Sequence, residues 1–414
     1  MIAAEHQIIT GCRSCGATDL KPVLDLGVTP LADALLTGDR LQSPEDRYPL
    51  TVLFCPTCTL VQIRETVPPK VLFPDDYPYY SSFMDSLLDH SRRNVEGLIE
   101  RLGLGASSLA VELASNDGYL LQYFQKAGVP VLGIDPSTGP AQAAIDKGIP
   151  TLIEFFDAAM ARRLVSEGRQ ADVIVGNNVL AHVPDQNSFV EGMATLLAPN
   201  GLVSVEVPYV VDLIEHGEFD TIYHEHHCYF SVAALESLFG RHGLTLVDIT
   251  HHPIHGGTIR VFFAHQGEAS AAVHDFRRSE AERGVGDYSY YSGFATKVEK
   301  IREDLVALLT GIRAEGKRVA AYGAAAKGAT MLNFSGIDHT VIDYVVDRNT
   351  HKQGLYMPGA HLEILPPERL VEDRPDYVLI LAWNFAGEII SQQQAYLDTG
   401  GRFIVPVPSP RVVE

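Results

Sequence analysis

The sequence contains no long hydrophobic run and few basic residues for its size. No apolar run approaches the ~20 residues that a membrane-spanning helix needs, so we expect no membrane-embedded segment. Lys and Arg number 32 against 52 Asp and Glu, which gives a net charge of −20, and the basic residues form no local patch. We therefore expect neither nucleic acid nor an anionic membrane as a partner. Internal repeats and low-complexity tracts are also absent from the sequence.

Cysteine is scarce, but its placement is informative. Four of the five cysteines form two Cys-x-x-Cys pairs, Cys12 with Cys15 and Cys55 with Cys58, each in a turn-like sequence. Such knuckles place four thiolates on one tetrahedral Zn²⁺ and leave no open position, so we predict a structural zinc site. Two disulfides are the alternative, but disulfide frameworks usually belong to small secreted domains, and the first residues contain no apolar signal segment. We therefore expect a cytoplasmic protein, and the remaining Cys228 is consistent with simple packing.

The 414 residues, of which 46% are hydrophobic and 20% charged, indicate a globular chain that is too long for one core. In the middle of the chain, short apolar runs alternate with turns and helical segments. Strands are predicted at residues 108–113, 130–135, 151–154, 172–177 and 201–207, with helices ending at 124, lying near 139–147 and ending at 197. This is the doubly wound α/β pattern, which binds ligands at the carboxyl ends of its strands.

The first two of these strands end in acidic residues, Glu112 and Asp135, and a glycine-containing turn lies between them. An acid after the second strand can bond ribose hydroxyls, and a glycine lets the backbone approach a ligand closely. The turn lacks Gly-x-Gly-x-x-Gly and so favours S-adenosylmethionine over a nicotinamide dinucleotide as the ligand. The alternative role for Glu112 is that of a strand-end carboxylate that caps the following helix. Ala114 and Asn116 stand where glycines are common in methyltransferases. The residues predicted to contact the cofactor are Glu112, Ala114, Asn116, Gly118, Asp135, Pro136, Asn177 and Asn178.

Residues 223–230 concentrate titratable and phenolic side chains in the order Tyr-His-Glu-His-His-Cys-Tyr-Phe. Burial or neighbouring charge can bring His and Glu pKa values toward neutrality, as the removal of a proton beside a carbonyl requires. A metal site or a solvated polar turn is the alternative. The zinc-protease motif is excluded, because it needs histidines four residues apart, whereas His224, His226 and His227 are spaced differently.

The last third of the chain predicts a second Rossmann-like unit. Apolar residues recur at helical spacing over 294–314, and strands are predicted at 317–322, 341–347, 377–382 and 402–405. A glycine-containing turn at 323–328 includes Lys327 and is suited to holding phosphates. Asp347 takes the place of an NAD ribose-binding acid, so a nicotinamide-dependent enzyme is the rival class, although the turn has only two of the fingerprint glycines.

Together these motifs resemble the deoxysugar C-methyltransferases of antibiotic biosynthesis, especially those for branched sugars such as tetronitrose and kijanose. The matching segments are the four-cysteine start and residues 112–118, 133–135, 223–226, 229–231 and 255–260. The resemblance implies an α/β architecture with a zinc-binding domain at 1–75, an S-adenosylmethionine-binding methyltransferase domain at 76–265 and a Rossmann-like domain at 266–414. The last domain is implied to help hold a TDP-linked 4-keto-deoxyhexose, such as a 3-amino-2,3,6-trideoxy sugar, that is methylated at C-3.

Methylation at C-3 of a 4-keto sugar requires a base and groups that stabilise the enolate oxygen. His226 is the predicted base, with Glu225 orienting it or acting in its place. Tyr223 and Tyr77 offer phenols to the enolate oxygen, and His182 is a further candidate for the catalytic site. The predicted substrate-binding residues are Tyr79, Tyr80, His224, Arg260 and Lys327. We expect the protein to be a monomer. The alternative function is that of a non-enzymatic zinc-containing interaction protein, which the cluster at 223–230 disfavours because an interaction module does not need it.

Overall fold

The computed structural model describes residues 6–72 and 80–413, whose strands form three main sheets and one two-stranded sheet. Tyr77 and Tyr79 lie outside the described residues. The N-terminal sheet is antiparallel, and its strands in spatial order are Cys228–Tyr229, Val61–Ile63, Arg47–Phe54 and Lys21–Pro30. The two-stranded sheet pairs Gln7–Ile8 with Glu65–Thr66. The strand Cys228–Tyr229 comes from the predicted catalytic cluster, so that cluster is part of the N-terminal sheet.

The central sheet has seven strands, five of them parallel, as the doubly wound pattern predicts. Its spatial order is Thr245–His252, Thr258–Ala264, Leu197–Pro208, Ala171–Asn177, Ala110–Leu113, Val131–Ile134 and Thr151–Leu152. The first two of these strands are antiparallel additions at one edge. Strand order reverses beside Ala110–Leu113, and such a reversal opens a crevice for ligands at the carboxyl ends of the strands. All five predicted parallel strands are confirmed, although the one predicted at 151–154 extends only from Thr151 to Leu152.

The C-terminal sheet is a second, mostly parallel sheet. Its spatial order is Ile364–Leu365, Val345–Val346, Val319–Tyr322, Tyr377–Ile380, Arg402–Val405 and Arg411–Val413, of which only the last strand is antiparallel. The strand predicted at 341–347 is reduced to two residues, because the amides of Val341 and Ile342 bond to the Asp338 carbonyl in a turn.

Helices cover the faces of the central and C-terminal sheets. The predicted helix at 294–314 is confirmed as Phe294–Ala314, which buries Val298, Ile301, Leu305, Leu309 and Ile312 at three- and four-residue spacing. The other α-helices are Pro69–Leu72, Asp85–Leu102, Leu121–Lys126, Thr138–Asp146, Ala158–Ser166, Gln186–Leu196, Val210–His216, Val232–Gly240, Ala271–Arg283, Tyr288–Tyr291, Ala326–Ser335, Arg369–Asp373, Ala386–Gln392 and Gln394–Leu397. Short 3₁₀ helices are Gly38–Arg40, Ser81–Phe83, Leu180–His182, Phe219–Thr221, Ile254–Gly256 and Trp383–Phe385. Among the described residues, no helix combines the length and apolar character needed to cross a bilayer.

The N-terminal and C-terminal parts of the chain contact each other directly. Leu36 and Tyr356 form an antiparallel bridge, with the Leu36 amide donating to the Tyr356 carbonyl at 2.9 Å. Beside it, the His361 ring lies 2.7 Å from a carboxylate oxygen of Glu45. These contacts join the zinc-binding region to the second Rossmann-like unit without passing through the central sheet.

Candidate active site

The turn after the first parallel strand has an unusual backbone. Ala114, Asn116 and Gly118 have φ angles of 57°, 48° and 78°, in the left-handed region that L-residues seldom adopt. A Cβ on Gly118 would lie 2.3 Å from Cδ1 of Ile149, so glycine is required there by both backbone and space. The prediction that Ala114 and Asn116 stand in for glycines is consistent with these angles. Asn178, after the neighbouring strand, also has a positive φ of 53°, and its amide donates to the Glu206 carbonyl.

Asp135 organises this turn. Its carboxylate accepts hydrogen bonds from the backbone amides of Asn116 and Ser137, both at 2.8 Å. Burial raises the pKa of Asp135. A carboxylate oxygen can accept more than one hydrogen bond, so each oxygen can still take a ribose hydroxyl. The neighbouring Pro136 is partly buried.

Glu112 lies fully buried under the turn, where the Leu121 amide and the Tyr119 side chain approach its carboxylate without completing a hydrogen bond of good geometry. Burial, reinforced by the nearby charges of Asp135 and Asp117, raises the pKa of Glu112 well above its usual value. Oδ1 of Asn177 and Oδ1 of Asp117 are likewise buried without a partner among the described residues. Buried acceptors that lack donors fit a ligand that brings hydroxyls and positive charge, and S-adenosylmethionine carries both.

Asp117 is a residue of this site that the sequence reasoning missed. Its side chain is buried, and it pairs with the Lys147 ammonium at 3.1 Å and with the Ser82 hydroxyl. Next to Ser82, the Ser81 amide donates to the side chain of Asn116 at 2.9 Å. The signal was present in the sequence, because Asp117 lies inside the turn that was already singled out.

The predicted catalytic cluster forms a compact buried turn. The His226 amide donates to the Tyr223 carbonyl at 2.9 Å, which brings the two side chains together. The Tyr223 hydroxyl and His226 Nε2 are 2.9 Å apart, and His226 Nδ1 lies 3.0 Å from the Thr221 carbonyl. A carbonyl only accepts, so Nδ1 carries the proton of the neutral ring and Nε2 is the basic nitrogen, which accepts from Tyr223.

His182 stands beside this pair. The His182 and His226 ring centroids are 4.6 Å apart, and the His182 ring hydrogen-bonds to the Glu225 backbone. Burial lowers the pKa of His182 to about 4. Burial, together with the proximity of His182, also lowers the pKa of His226 well below its usual value, so both rings are neutral near pH 7. The His227 amide donates to the Ala181 carbonyl at 2.7 Å and fixes the cluster to the segment that follows Asn177 and Asn178.

The four predicted metal ligands come together in space. Sγ atoms of Cys12 and Cys58 are 3.5 Å apart, those of Cys15 and Cys55 are 3.6 Å apart, and all four lie within 4.8 Å of one another. A tetrahedral shell with Zn–S bonds of about 2.3 Å places its sulfurs about 3.8 Å apart, which this cluster matches. All four ligands are thiolates, so a Zn²⁺ held here has no open position for chemistry.

Gln62 connects the cysteine cluster to the catalytic cluster. Its side-chain Nε2 donates to Sγ of Cys12 at 3.2 Å, and its Oε1 accepts from the Arg13 amide at 2.9 Å. Its backbone pairs with Cys228 in the N-terminal sheet. The strand after the second cysteine knuckle is therefore the one against which the residues following His226 are aligned.

The remaining predicted substrate-binding residues are engaged within the protein. His224 is buried and turned toward the N-terminal sheet, where Nε2 donates to the Pro49 carbonyl at 2.9 Å. The Tyr80 ring stacks on His351 of the C-terminal part at 5.1 Å. Arg260 donates from Nε to Glu206 at 2.9 Å, and His90 Nε2 lies 2.9 Å from the same carboxylate. Although burial alone would raise it, these two partners lower the pKa of Glu206 to about 2.

Lys327 lies at the start of the helix Ala326–Ser335, near the catalytic cluster. Its ammonium bonds to Oδ1 of Asn384 at 3.0 Å and stands 4.9 Å from the centre of the Trp383 ring. Burial lowers the pKa of Lys327, while the carboxylates of Asp220 and Glu218 oppose that shift. Asp220, Glu218 and Trp383 were not predicted from the sequence. Trp383 is the only tryptophan of the chain, and this was the one signal that could have marked it.

The turn at 323–328 lacks the central glycine of a dinucleotide fingerprint. Asp347 accepts from the amides of Ala324 at 2.7 Å and Asn349 at 2.8 Å, so its carboxylate joins this turn to the loop after the next strand, as Asp135 does in the central sheet. A Cβ on Gly323 would lie 2.8 Å from that of Ala382, and one on Gly328 would lie 2.9 Å from that of Leu381. These two glycines are therefore required for packing against the neighbouring strand.

A doubly wound sheet with an acidic crevice, joined to a four-cysteine domain, defines an S-adenosylmethionine-dependent methyltransferase with an appended zinc-binding domain. Family models match three successive segments: a zinc binding domain at residues 12–73, a methyltransferase domain at 87–249 and a C-methyltransferase C-terminal domain at 253–408. The C-methyltransferase NovU of Streptomyces niveus is 40% identical over 408 residues, which is 98% of this chain and 97% of NovU. The chain belongs to this family of C-methyltransferases.

Two more distant proteins match less than half of this chain. A ubiquinone biosynthesis O-methyltransferase of Bartonella tribocorum is 23% identical over 163 residues, covering 35% of this chain and 64% of that protein. A solved structure of magnesium protoporphyrin IX methyltransferase from Synechocystis PCC 6803 with bound SAM is 14% identical with a TM-score of 0.33. It covers 44% of this chain and 82% of the other.

Proposed function

We propose that the chain methylates C-3 of a TDP-linked 4-keto-deoxyhexose in the biosynthesis of an antibiotic sugar. The observation that carries the proposal is the buried Tyr223–His226 pair, in which the ring tautomer leaves a basic nitrogen facing a phenol. A carbon beside a ketone must lose a proton before it can accept a methyl group, and this pair is built to accept one. An O-methyltransferase acting on an acidic hydroxyl has less need of such a base.

His226 is the proposed acceptor of the C-3 proton. Its neutral ring has Nε2 free of a proton, and the hydrogen bond from Nδ1 to Thr221 holds that tautomer. The Tyr223 hydroxyl, 2.9 Å from Nε2, stands where it can pass a proton to the ring or donate to the enolate oxygen. The His182 ring lies 4.6 Å from the His226 ring, and the buried Glu225 adjoins the base in sequence.

Glu112, Asp117, Asp135 and Asn177 are the proposed cofactor contacts. S-adenosylmethionine supplies an electrophilic methyl group bonded to a sulfonium sulfur. The buried acceptors of the chain hold the cationic and hydroxyl-bearing parts of that ligand. The fixed positions of Asn177 and His182, on consecutive segments, align the cofactor crevice with the base.

The direct experiment compares His226→Asn with His224→Asn, a matched control in which an equally buried neighbouring histidine is changed. Turnover is measured with labelled S-adenosylmethionine and a TDP-4-keto-hexose. We expect the kcat of His226→Asn to fall ~10²–10⁴-fold, which is the usual effect of losing a general base. We also expect this variant to stop solvent-deuterium exchange at C-3. We expect His224→Asn to keep kcat, because its ring points to Pro49.

Two further variants separate the roles within the cluster. Glu225→Gln should be milder than His226→Asn if Glu225 only orients the ring, and equally severe if Glu225 is the base. Tyr223→Phe should be as severe as His226→Asn if the phenol relays the proton. Full activity in His226→Asn would remove this residue as the base, and failure of every TDP-4-keto-hexose to react would contradict the proposed substrate.

The nicotinamide alternative is not favoured, because the turn at 323–328 has alanine where the dinucleotide fingerprint has its central glycine, and its two glycines pack against Leu381 and Ala382. We place the protein in the cytoplasm, where a reducing environment keeps four thiolates available to zinc. We also propose that it acts as a monomer, and a sedimentation measurement of its mass would test that proposal.

A further inference from the structure

Two elements of the C-terminal part touch the segment that precedes the catalytic cluster. From the 3₁₀ helix Trp383–Phe385, the Trp383 indole Nε1 donates to Oδ2 of Asp220 at 2.6 Å. From the helix Ala326–Ser335, the Thr330 hydroxyl donates to the Ile222 carbonyl at 3.3 Å. Both contacts fall on residues 219–222, and neither reaches the cofactor crevice.

The segment that they hold carries the hydrogen-bond partner of the proposed base. Asp220 and Thr221 belong to the 3₁₀ helix Phe219–Thr221, and the Thr221 carbonyl accepts the proton of His226 Nδ1 at 3.0 Å. The position of that carbonyl therefore decides which nitrogen of His226 carries the proton and where Nε2 points. Thr221 follows Asp220 directly in this 3₁₀ helix, so a contact that holds Asp220 also restricts the position of Thr221.

Asp220 has no exposed surface, so it depends on partners inside the protein. Burial raises the pKa of Asp220 to about 6, and that of the nearby Glu218 to about 9, while the Lys327 ammonium opposes both shifts. A buried carboxylate is costly unless donors satisfy it, and the Trp383 indole donates to this one at 2.6 Å. Removing that donor would leave the longer contact of Thr330 with Ile222 to hold the turn against the C-terminal part.

We infer that Trp383 and Asp220 are positioning residues through which the C-terminal part of the chain sets the tautomer and orientation of His226. The inference rests on the proposed role of His226 in the proposed function. It gives the C-terminal part a task in the proton transfer itself, in addition to any contact with the nucleotide-sugar.

The first test is Trp383→Phe, which keeps an aromatic ring and removes the N–H donor. A hydrogen bond to a charged group is strong enough that we expect kcat to fall about ten- to a hundredfold. The KM values for S-adenosylmethionine and the sugar should change less than about threefold, since neither binding site loses a contact. Asp220→Asn keeps a carbonyl oxygen that can accept from the indole and should retain most of kcat, whereas Asp220→Ala should match Trp383→Phe.

A second readout does not depend on turnover. In protein labelled with ¹⁵N-histidine, the His226 signal should report a proton on Nδ1 in the wild type and a mixture of tautomers in Trp383→Phe. If His226→Asn proves active, the proposed base is wrong, and this measurement still decides whether Trp383 orders the ring. The control is Tyr396→Phe, which removes a buried hydroxyl bonded to the Pro375 carbonyl at 2.9 Å elsewhere in the C-terminal part.

Tyr396→Phe should lower the melting temperature and leave kcat and the His226 signal unchanged. The inference is overturned if Trp383→Phe keeps both kcat and the wild-type His226 signal. It is also overturned if kcat falls while the tautomer stays unchanged, or if KM rises in place of a fall in kcat. Equal loss of activity in Asp220→Asn and Asp220→Ala would make the charge of Asp220, not its contact with Trp383, the property that matters.

Discussion

Burial shifts the pKa values of His226 and Glu112 in opposite directions. It lowers the pKa of His226 well below its usual value and raises the pKa of Glu112 well above its own. Both shifts have the same origin, because a charged group loses hydration inside a protein whatever its sign. The His226 imidazole is therefore neutral near pH 7, and Glu112 keeps its proton to a higher pH than an exposed carboxyl does.

The pH dependence of kcat follows from the first of these shifts. His226 accepts a proton only in its neutral form, and a lowered pKa keeps it neutral to lower pH. We expect kcat to stay constant as the pH falls from about 8 to about 6.5 and to decline only below that point. Asp220, with a pKa of about 6, and His182, with a pKa of about 4, titrate in the same acid range. A midpoint at 6.5 or above, measured with both substrates saturating, would contradict this expectation.

The second shift predicts proton release when the cofactor binds. A positively charged ligand beside Glu112 favours the carboxylate and lowers its pKa, so the carboxyl proton leaves as S-adenosylmethionine enters. Titration calorimetry in two buffers of different ionisation enthalpy should then give different binding enthalpies. The affinity for S-adenosylmethionine should rise with pH over the range in which Glu112 of the free protein loses its proton. Glu112→Gln is the matched control, which should bind more weakly and show the same enthalpy in both buffers.

At the scale of single elements, the cysteine knuckles and the strand that follows them form one unit. Cys55 and Cys58 directly precede the strand Val61–Ile63, and Gln62 of that strand contacts Cys12. Loss of the metal should therefore loosen the strand against which Cys228 is aligned.

The corresponding variant is Cys55→Ser, which removes one of four thiolates. We expect bound zinc and the melting temperature to fall together, because folding of such a site is coupled to metal binding. Cys228→Ser makes the same substitution at a buried cysteine outside the cluster, and it should keep its zinc. Metal analysis and thermal unfolding of both variants check this, and a stable, metal-free Cys55→Ser protein would refute a structural role.

Elements with a strong local pattern could be predicted from the sequence. The helix Phe294–Ala314 followed from the spacing of its apolar residues, and the buried strands of the two parallel sheets followed from short apolar runs. The antiparallel strands Thr245–His252 and Thr258–Ala264 were missed, because the first ends in two histidines and the second is an almost fully buried run without alternation that follows two glycines. The second of them was recognised only as part of a motif.

The candidate site shows the same division between local and distant contacts. Tyr223 and His226 are three residues apart, so their contact was visible in the sequence. Asp220 and Trp383 are 163 residues apart, and no spacing rule connects them. Arg260 was predicted to bind substrate, but its partners Glu206 and His90 lie 54 and 170 residues away. Pairings of this kind depend on how the sheets pack, which local patterns do not encode.

At the scale of the whole molecule, the three sheets are tied together at the catalytic cluster. The cluster supplies a strand to the N-terminal sheet, contacts through Ala181 the 3₁₀ helix that follows a strand of the central sheet, and follows a turn held by Trp383. Leu36 and Tyr356 also join the N-terminal and C-terminal parts directly. Since each domain borders the same few residues, a disturbance in any domain that displaces those residues should change turnover.

The strand Cys228–Tyr229 has a consequence for how the chain is made. Thr59 and Ser231, whose hydroxyls bond at 3.0 Å beside this strand, are 172 residues apart, so synthesis exposes the edge of Val61–Ile63 long before its partner emerges. An unpaired edge is prone to join another chain, and distant pairings form slowly. We therefore expect nascent or truncated chains that stop before residue 228 to aggregate through this edge, so that the segment proposed to transfer the proton also protects the newly made protein from self-association.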